Sequence, residues 1–430
     1  MNNIEECKMV PITELLECIV DNRGKSCPTC DEGFPLIATN CIKHSSIYPT
    51  FENIRYVSDE TLKTWFRAEL KPNDILFVNK GTPGRVCLVP DPITFCAAQD
   101  MIGLRADSKK IYYKYLFAVL RSNFIQEKIA NFHVGIAIPH FKKSDMDNLL
   151  IPVPDIYIQK KIGDMYCELS EKIENNNKIN AELESMAKTI YDYWFLQFEF
   201  PNEDGKPYKS SGGKMVWNEE LKSEIPEGWE VSDLSKYINV IRGVAYDTED
   251  ITNQETAGYI PLLKSNNLQN DRLILDDIVY VKKENVAEDQ ILENNSIFVT
   301  MSSGSTEHVG KTAIIFYDMP YTYGAFCSKI DIKPKYRGFI SMFFLSDYFK
   351  KKIRTIVVGT SIKNINNSHL TGNTLAFPNE DILGKFEKII APIFDKEGEI
   401  IKENQELASL RDFLLPMLMN GQIGFKDGER

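Results

Sequence analysis

With 430 residues, 43% hydrophobic and 26% charged, the chain can fill more than one apolar core, so two or three compact units are expected. Its formal net charge of -11 excludes a uniformly basic nucleic-acid binder, and any phosphate-contacting face has to be local. It contains no run of about 18 apolar residues, and the opening MNNIEECKMVPITELL lacks the basic and apolar stretches of a secretion signal. The expected location is therefore the cytoplasm, where nine scattered cysteines fit reduced thiols.

Pro35 to Ile42 is a strand-like run. Around it, Cys27-x2-Cys30-x10-Cys41-x2-His44 has the spacing of a zinc finger. Its last two members fall in or beside that strand, and no similar set occurs later in the chain, so free thiols are expected and no metal is assigned. Asp74 to Val78 (DILFV) is a β-branched and aromatic run bounded by turn residues, hence a strand. It leads into the loop Asn79-Lys80-Gly81-Thr82-Pro83-Gly84-Arg85. From Ile162 to Trp194 no proline intervenes. There Ile162, Leu169, Asn176, Leu183 and Ile190 fall seven apart, while Tyr166, Ile173, Asn180, Ala187 and Trp194 fill the alternate seam of a heptad. That spacing predicts a long helix. Phe200 to Gly228, rich in Gly, Ser, Pro and charge, predicts an exposed connector. A second strand, Ser296 to Thr300 (SIFVT), runs into Met301-Ser302-Ser303-Gly304-Ser305-Thr306, with Gly310-Lys311 beyond. Glycines and hydroxyls beside a cation suit close approach to a phosphate backbone, although an ordinary solvated hairpin has the same composition. Neither loop has the spacing of a Walker loop.

Compared with itself, the chain repeats. VGIAIPHFKKSDMDNLLIPVP (134 to 154) and VGTSIKNINNSHLTGNTLAFP (358 to 378) align at an offset of 224, which continues through Ile158 and Ile382, Lys172 and Lys396, and Leu183 and Leu407. Upstream, Tyr56-Val57 matches Tyr280-Val281 at the same offset, while Leu15, Ile19, Arg23 and Gly24 match Leu234, Ile238, Arg242 and Gly243 at 219. Two copies of one unit are implied, each a mixed segment followed by a periodic one. The second periodic segment keeps the first seam as Phe386, Ile393, Ile400, Leu407 and Leu414, and has Ile390, Glu397, Asn404, Arg411 and Leu418 on the other; Pro392 and Gly398 interrupt it. Asn180 and Asn404 fall where polar residues fix register in coiled coils, so an antiparallel helix pair is expected in preference to two separate core helices.

No Asn/Asp-Pro-Pro-Tyr/Phe stretch of an adenine methyltransferase and no Gly-x-Ser-x-Gly elbow occurs, and the five histidines are scattered. A non-catalytic protein is expected.

Two diverged mixed domains, each followed by a better-kept long helix, resemble the specificity subunit of type I restriction-modification systems. Locally, Ile151-Pro152-Val153-Pro154 with Gln159-Lys160-Lys161-Ile162 resembles the family's proline-rich approach to the first helix. Ile225-Pro226-Glu227-Gly228-Trp229 resembles the opening of the second recognition domain, and Arg23-Gly24-Lys25 and Arg242-Gly243 resemble the start of each reading region. Ile158 departs from the acidic residue usual before the glutamine, and Asp381-Ile382-Leu383 replaces that motif in the second copy. The resemblance covers essentially the whole chain.

It implies an α+β chain of two tandem target-recognition domains, 1–155 and 225–378. Helices follow at 156–200 and 379–420, with a linker at 201–224, a tail at 421–430, and the helices pairing as an antiparallel coiled coil. The seam residues expected to pair are Ile162, Leu169, Ile173, Asn180, Leu183, Ile393, Ile400, Asn404 and Leu407. The implied partners are double-stranded DNA with a bipartite target, two methyltransferase subunits and, optionally, two restriction subunits. S-adenosylmethionine belongs to the methyltransferases, and no cofactor is expected in this chain. Diverged halves would read two different sequences, where a homodimer reads a palindrome. A solitary DNA-binding or scaffold protein is the alternative. The first domain carries 18 Lys and Arg against 19 Asp and Glu over residues 1–155, so base readout is expected here and much of the affinity in the partners. Candidate DNA contacts are Arg23, Lys25, Lys80 and Arg85 in the first domain. In the second they are Arg242, Lys264, Asn266, Ser303, Lys311 and Lys363. Arg and Lys pair best with guanine edges and Asn with adenine.

Overall fold

Short β-branched and aromatic runs, broken every few positions by Gly, Pro, Asn or Asp, give many brief strands. They are seen in a computed structural model that describes residues 8–22, 24, 26–97, 100–132, 140–269, 271–304, 308–358, 364–420 and 422–424. The chain divides into one unit of residues 1–178 with 402–430 and another of residues 179–401.

The first unit holds β1 (Lys8–Pro11), β2 (Leu16–Val20), β3 (Phe34–Ile37), β4 (Arg55–Val57), α1 (Asp59–Thr64), β5 (Ile75–Val78), β6 (Val86–Leu88), β7 (Cys96–Ala97), β8 (Met101–Ala106), α2 (Tyr113–Arg121), α3 (Asn123–Asn131), β9 (Leu150–Val153) and the start of α4 (Ile156–Tyr191). Its main sheet runs β2-β8-β5-β6; β3 lies between β4 and β7, parallel to the latter, and β1 pairs with β9. The second unit holds β10 (Met215–Asn218), β11 (Ser223–Pro226), β12 (Glu230–Asp233), β13 (Ile238–Arg242), β14 (Ile251–Thr252), β15 (Tyr259–Leu263), β16 (Leu268–Gln269), β17 (Arg272–Leu273), β18 (Val279–Lys282), β19 (Ile297–Thr300), β20 (Thr312–Ile314), β21 (Thr322–Tyr323), β22 (Cys327–Ile332), α5 (Arg337–Leu345), α6 (Asp347–Val358), α7 (Asn367–Thr371), β23 (Thr374–Phe377) and most of α8 (Glu380–Met419). Its sheets run β13-β22-β19-β20 and β14-β18-β15-β21, with β12 on β23.

Each strand of the first unit thus has a counterpart in the second, which adds β10, β11, β14, β16 and β17. Pro35 faces Tyr56 across β3 and β4, and Pro261 faces Tyr280 across β15 and β18. The 219 offset upstream is corrected, however. Ile12 N–H bonds Leu149 O, and Leu234 N–H bonds Asn373 O; since 149 and 373 are 224 apart, Ile12 corresponds to Leu234 at 222. A register shift between Leu16 and Cys18 in β2 then moves the strand end again, so that Val20 corresponds to Ile241 and Asp21 to Arg242. Two further expectations need correction. The strand expected over Pro35 to Ile42 stops at Ile37, and Thr39–Cys41 forms a 3-10 turn. The connector is also more than a solvated link: buried Phe200 stacks on Tyr208 and on Trp229 at centroid separations of 4.6 and 5.3 Å, and β10 and β11 form a hairpin within it.

Both units bury their apolar helix faces on these sheets. Tyr115, Phe117 and Val119 of α2 lie in the first core with Ile75, Phe77 and Leu104, and Phe339, Ile340 and Phe343 of α5 lie in the second with Ile297, Val299 and Ile330. The seat of each long helix is a close approach solved in opposite ways. On α4, Gly163 lies so near α2 that a Cβ would fall 2.5 Å from Tyr115 N; 224 residues on, Glu387 of α8 accepts a 2.6 Å bond from Gly338 N–H at the start of α5.

The long helices touch antiparallel within each unit. In the first, Arg411 Nη1 donates to Ser170 Oγ (3.4 Å), Asn176 Nδ2 to Glu403 Oε2 (2.7 Å) and Asn404 Oδ1 (2.9 Å), and Asn404 Nδ2 to Asn177 Oδ1 (3.0 Å), while Ile162 and Tyr166 share a core with Leu415 and Leu418. In the second, Ala187, Tyr191 and Trp194 pack with Phe386, Ile390 and Ile393. Ile162, Asn180, Ile393 and Ile400 are buried, and Leu169, Ile173, Leu183, Asn404 and Leu407 are half-buried. Pro392 and Gly398 sit inside the unbroken α8, and Gly398 admits Phe316, whose backbone O would lie 3.1 Å from an added Cβ. Glu397 of α8 is only 2% exposed, and its Oε1 has no hydrogen-bond partner among the described residues. Burial, reinforced by Glu184 and opposed by Arg272, pushes its carboxyl up to about 8.

Candidate nucleic-acid interface

An antiparallel sheet delivers alternate strand ends to the same edge, and both main sheets use this to gather loops. In the first unit β2 and β5 end where β6 and β8 begin; in the second β13 and β19 end where β20 and β22 begin. One residue after the third strand of each sheet ties three loops together. Buried Asn79 donates its N–H to Asp100 O (2.8 Å), accepts from Phe141 N–H (2.7 Å) and donates Nδ2 to Phe141 O (3.0 Å). Met301 repeats the backbone part, donating to Phe326 O and accepting from Ile365 N–H, each at 2.8 Å. Next to them Lys80 bridges His140, and Ser302 bridges Asn364.

The glycines of these loops divide into two kinds. Gly81 and Gly304 are exposed, and among the described residues nothing lies within 4 Å of a Cβ added at either, as close backbone approach requires. Gly84 and Gly310 are buried at φ +89° and +76°, against Ile129 and Ile353, so they anchor the loops on α3 and α6 and do not meet a ligand.

Among the expected contacts, Lys80 is exposed on the first loop and Arg85 is half-buried at its end. Arg242 is exposed at the end of β13, with Nε donating to Ala325 O (3.2 Å). Ser303 and Lys311 are half-buried on either side of the second loop, Lys311 Nζ lying 3.4 Å from His308 Nδ1. Lys264 and Asn266 follow β15, where Leu263 O accepts from Gly324 N–H, which joins them to the same cluster; Asn266 is exposed and Lys264 half-buried. Topology therefore collects Arg242, Lys264, Asn266, Ser303 and Lys311 at one end of the second unit, and Lys80 and Arg85 at the matching end of the first. Arg23, Lys25 and Lys363 lie outside the described residues.

Sequence reasoning missed Phe326, 67% exposed on the turn between β21 and β22. An aromatic residue in an apolar stretch reads as core, and only the pairing of Met301 and Ser302 N–H with its carbonyl shows that it caps the loop cluster. The zinc-spaced residues are separated: Cys27 packs with Leu36, Val57 and Cys96, whereas Cys41 packs with Ile37, Leu76 and Val78. Among the described residues no group of three or more His, Cys, Asp or Glu could hold a metal, every cysteine is a free thiol, and no helix is long and apolar enough to cross a membrane.

Two copies of one scaffold each present cations and amides on diverged loops at a sheet end, the arrangement of a paired recognition protein. The chain belongs to the family described as type I restriction modification DNA specificity domain, whose model matches residues 4–185 and 226–411. It is 24% identical over 374 residues to the type I restriction enzyme MjaIX specificity subunit of Methanocaldococcus jannaschii, covering 86% of this chain and 82% of that one. Identity to the EcoKI specificity subunit of Escherichia coli is 30% over 207 residues, 46% of this chain and 44% of that protein. The crystal structure of the type I restriction-modification S subunit from M. genitalium has the same fold, with a TM-score of 0.55 at 17% identity, covering 97% of this chain and 99% of that one. Specificity subunits are non-catalytic; the catalytic activities reside in other subunits of the complex.

Proposed function

We propose that the chain reads a bipartite, asymmetric DNA target, one half with each copy, and presents it to two methyltransferase subunits that carry S-adenosylmethionine, with restriction subunits joining optionally, in the cytoplasm. The observation that carries this reading is that the copies share their loop scaffold down to matched backbone hydrogen bonds, Asn79 to Asp100 and Met301 to Phe326, while the loop side chains differ. A shared scaffold with different side chains fits two readers of different sequence.

In this reading residues 1–155 and 225–378 are the target-recognition domains, 201–224 links them, and the helices at 156–200 and 379–420 pair as an antiparallel coiled coil. Lys80, Arg85, Arg242, Lys264, Asn266, Ser303 and Lys311, with Arg23, Lys25 and Lys363, contribute phosphate and base contacts. Replacing residues 216–378 by the corresponding domain of a relative should change one half of the methylated sequence and leave the other. A methylome in which both halves change contradicts independent reading, and methylation by the purified chain alone contradicts its dependence on a partner.

A further inference from the structure

We propose that Phe326 is a base-reading residue of the second domain, making apolar contact with the 5-methyl group of a thymine. The inference rests on the DNA-recognition role and adds to it a particular residue and the chemistry it reads.

The turn carrying Phe326 is pinned on every side. Phe326 O accepts N–H from Met301 (2.8 Å) and Ser302 (3.1 Å), Cys327 N–H closes the turn on Gly324 O (2.8 Å), and Gly243 N–H bonds Cys327 O (3.0 Å). Arg242 Nε holds Ala325 O at 3.2 Å, and Gly324 N–H holds Leu263 O at 2.9 Å. Tyr323 and Cys327, close on either side, are fully buried, whereas Phe326 is 67% exposed on this bonded turn. A large apolar ring held in water on a pinned turn is available, without rearrangement, to a ligand that reaches this end of the sheet.

The turn that carries it is bonded to Arg242 and Ser302, at the end of the sheet where the candidate DNA contacts gather. The first copy supplies an internal comparison. Asp100 occupies the same turn position, 226 residues earlier, as β8 and β22 starting at 101 and 327 require. Its carbonyl accepts the corresponding bond from Asn79 N–H. One turn position thus carries an apolar ring in one half and a carboxylate in the other, although Phe326 O accepts a second bond from Ser302 N–H and Asp100 takes φ +72°, a conformation that itself favours Asp. As readers the two differ: Phe meets a thymine methyl in the major groove, and Asp accepts from a cytosine amino group.

The test uses the chain assembled with its methyltransferase subunits and S-adenosylmethionine, on duplexes carrying its methylated target. Each thymine of the second half is replaced singly by deoxyuridine, which removes only the methyl. The wild-type complex should lose about five- to tenfold in affinity at one position. Phe326→Ala should bind the thymine duplex more weakly by that factor and be indifferent to the replacement there, while Phe326→Leu retains sensitivity to it. Melting temperatures of all three should agree, as expected for an exposed side chain. Sensitivity unchanged in Phe326→Ala, no methyl-sensitive position in the wild type, or an equal loss on scrambled DNA would each overturn the assignment. If the wild-type complex showed no sequence preference in that half, the DNA-reading role itself would fall.

Discussion

Replacing the buried acid of the second long helix should change how stability depends on pH. Glu397 has an ordinary value of 4.5, pushed up to about 8 chiefly by burial, with Glu184 adding and Arg272 opposing. At about 1.36 kcal/mol per unit, ionisation in the folded state is disfavoured by up to roughly 5 kcal/mol. The folded protein therefore binds this proton more tightly than the unfolded chain. The resulting stabilisation is complete below 4.5 and is lost as pH rises towards 8, about 3 kcal/mol of it between pH 5 and pH 8. Glu397→Gln keeps the shape and the polar atoms but removes the titration, and Glu397→Ile installs the residue found at the matched position, Ile173. Urea unfolding followed by tryptophan fluorescence reports the second unit well, since Trp194, Trp217 and Trp229 lie within 179–401 and Trp65 lies outside it. The variants and wild type should be close at pH 5 and diverge at pH 8, with the variants more stable by roughly 2 to 4 kcal/mol. Asp192 and Glu387 are also pushed up by burial, but they contribute equally to every curve and cancel in the difference. Parallel pH profiles for wild type and Glu397→Gln would show that this carboxyl is solvated and the reasoning mistaken.

Gly163→Ala should destabilise the first unit by about 1 to 3 kcal/mol, because the new Cβ meets backbone of α2 and this outweighs the better helix propensity of Ala; an unchanged urea midpoint at Trp65 would refute it. Asn404→Ala leaves Asn176 and Asn177 short of a partner and should cost about 1 to 3 kcal/mol, with a double-mutant cycle against Asn176→Ala giving a coupling above about 0.5 kcal/mol. Inserting four residues after Asn177 and four after Ile401 adds about 6 Å to each helix. If helix length sets the target spacing, methylome sequencing should find both half-sequences intact and a spacer longer by one or two base pairs; an unchanged spacer with robust methylation would refute that role.

Much of this architecture was legible where the physics is local. The seven-residue spacing from Ile162 places α4, the DILFV and SIFVT runs place β5 and β19, and the 224 offset aligns α2 with α5 and α3 with α6. Errors arose where pairing across the sheet decides. Matching Leu15, Ile19 and Arg23 with Leu234, Ile238 and Arg242 follows residue identity, whereas the hydrogen bonds of Ile12 and Leu234 and the shift in β2 fix a different register. Glycine spacing alone could not distinguish Gly84 and Gly310, buried against isoleucines, from the open Gly81 and Gly304. The seam pattern located Glu397, but only the packing shows it as a buried acid with an oxygen unpaired among the described residues.

The first unit is discontinuous in the chain: Ile12, Ile162 and Tyr166 share one core with Leu415, Leu418 and Met419. The second unit, residues 179–401, is contiguous. On the ribosome the later half can therefore finish folding first, and the earlier half waits with an uncovered apolar face until residues 402–419 have been made. A message cut short before that point yields one complete unit attached to an unfinished one, a product that proteases should clear.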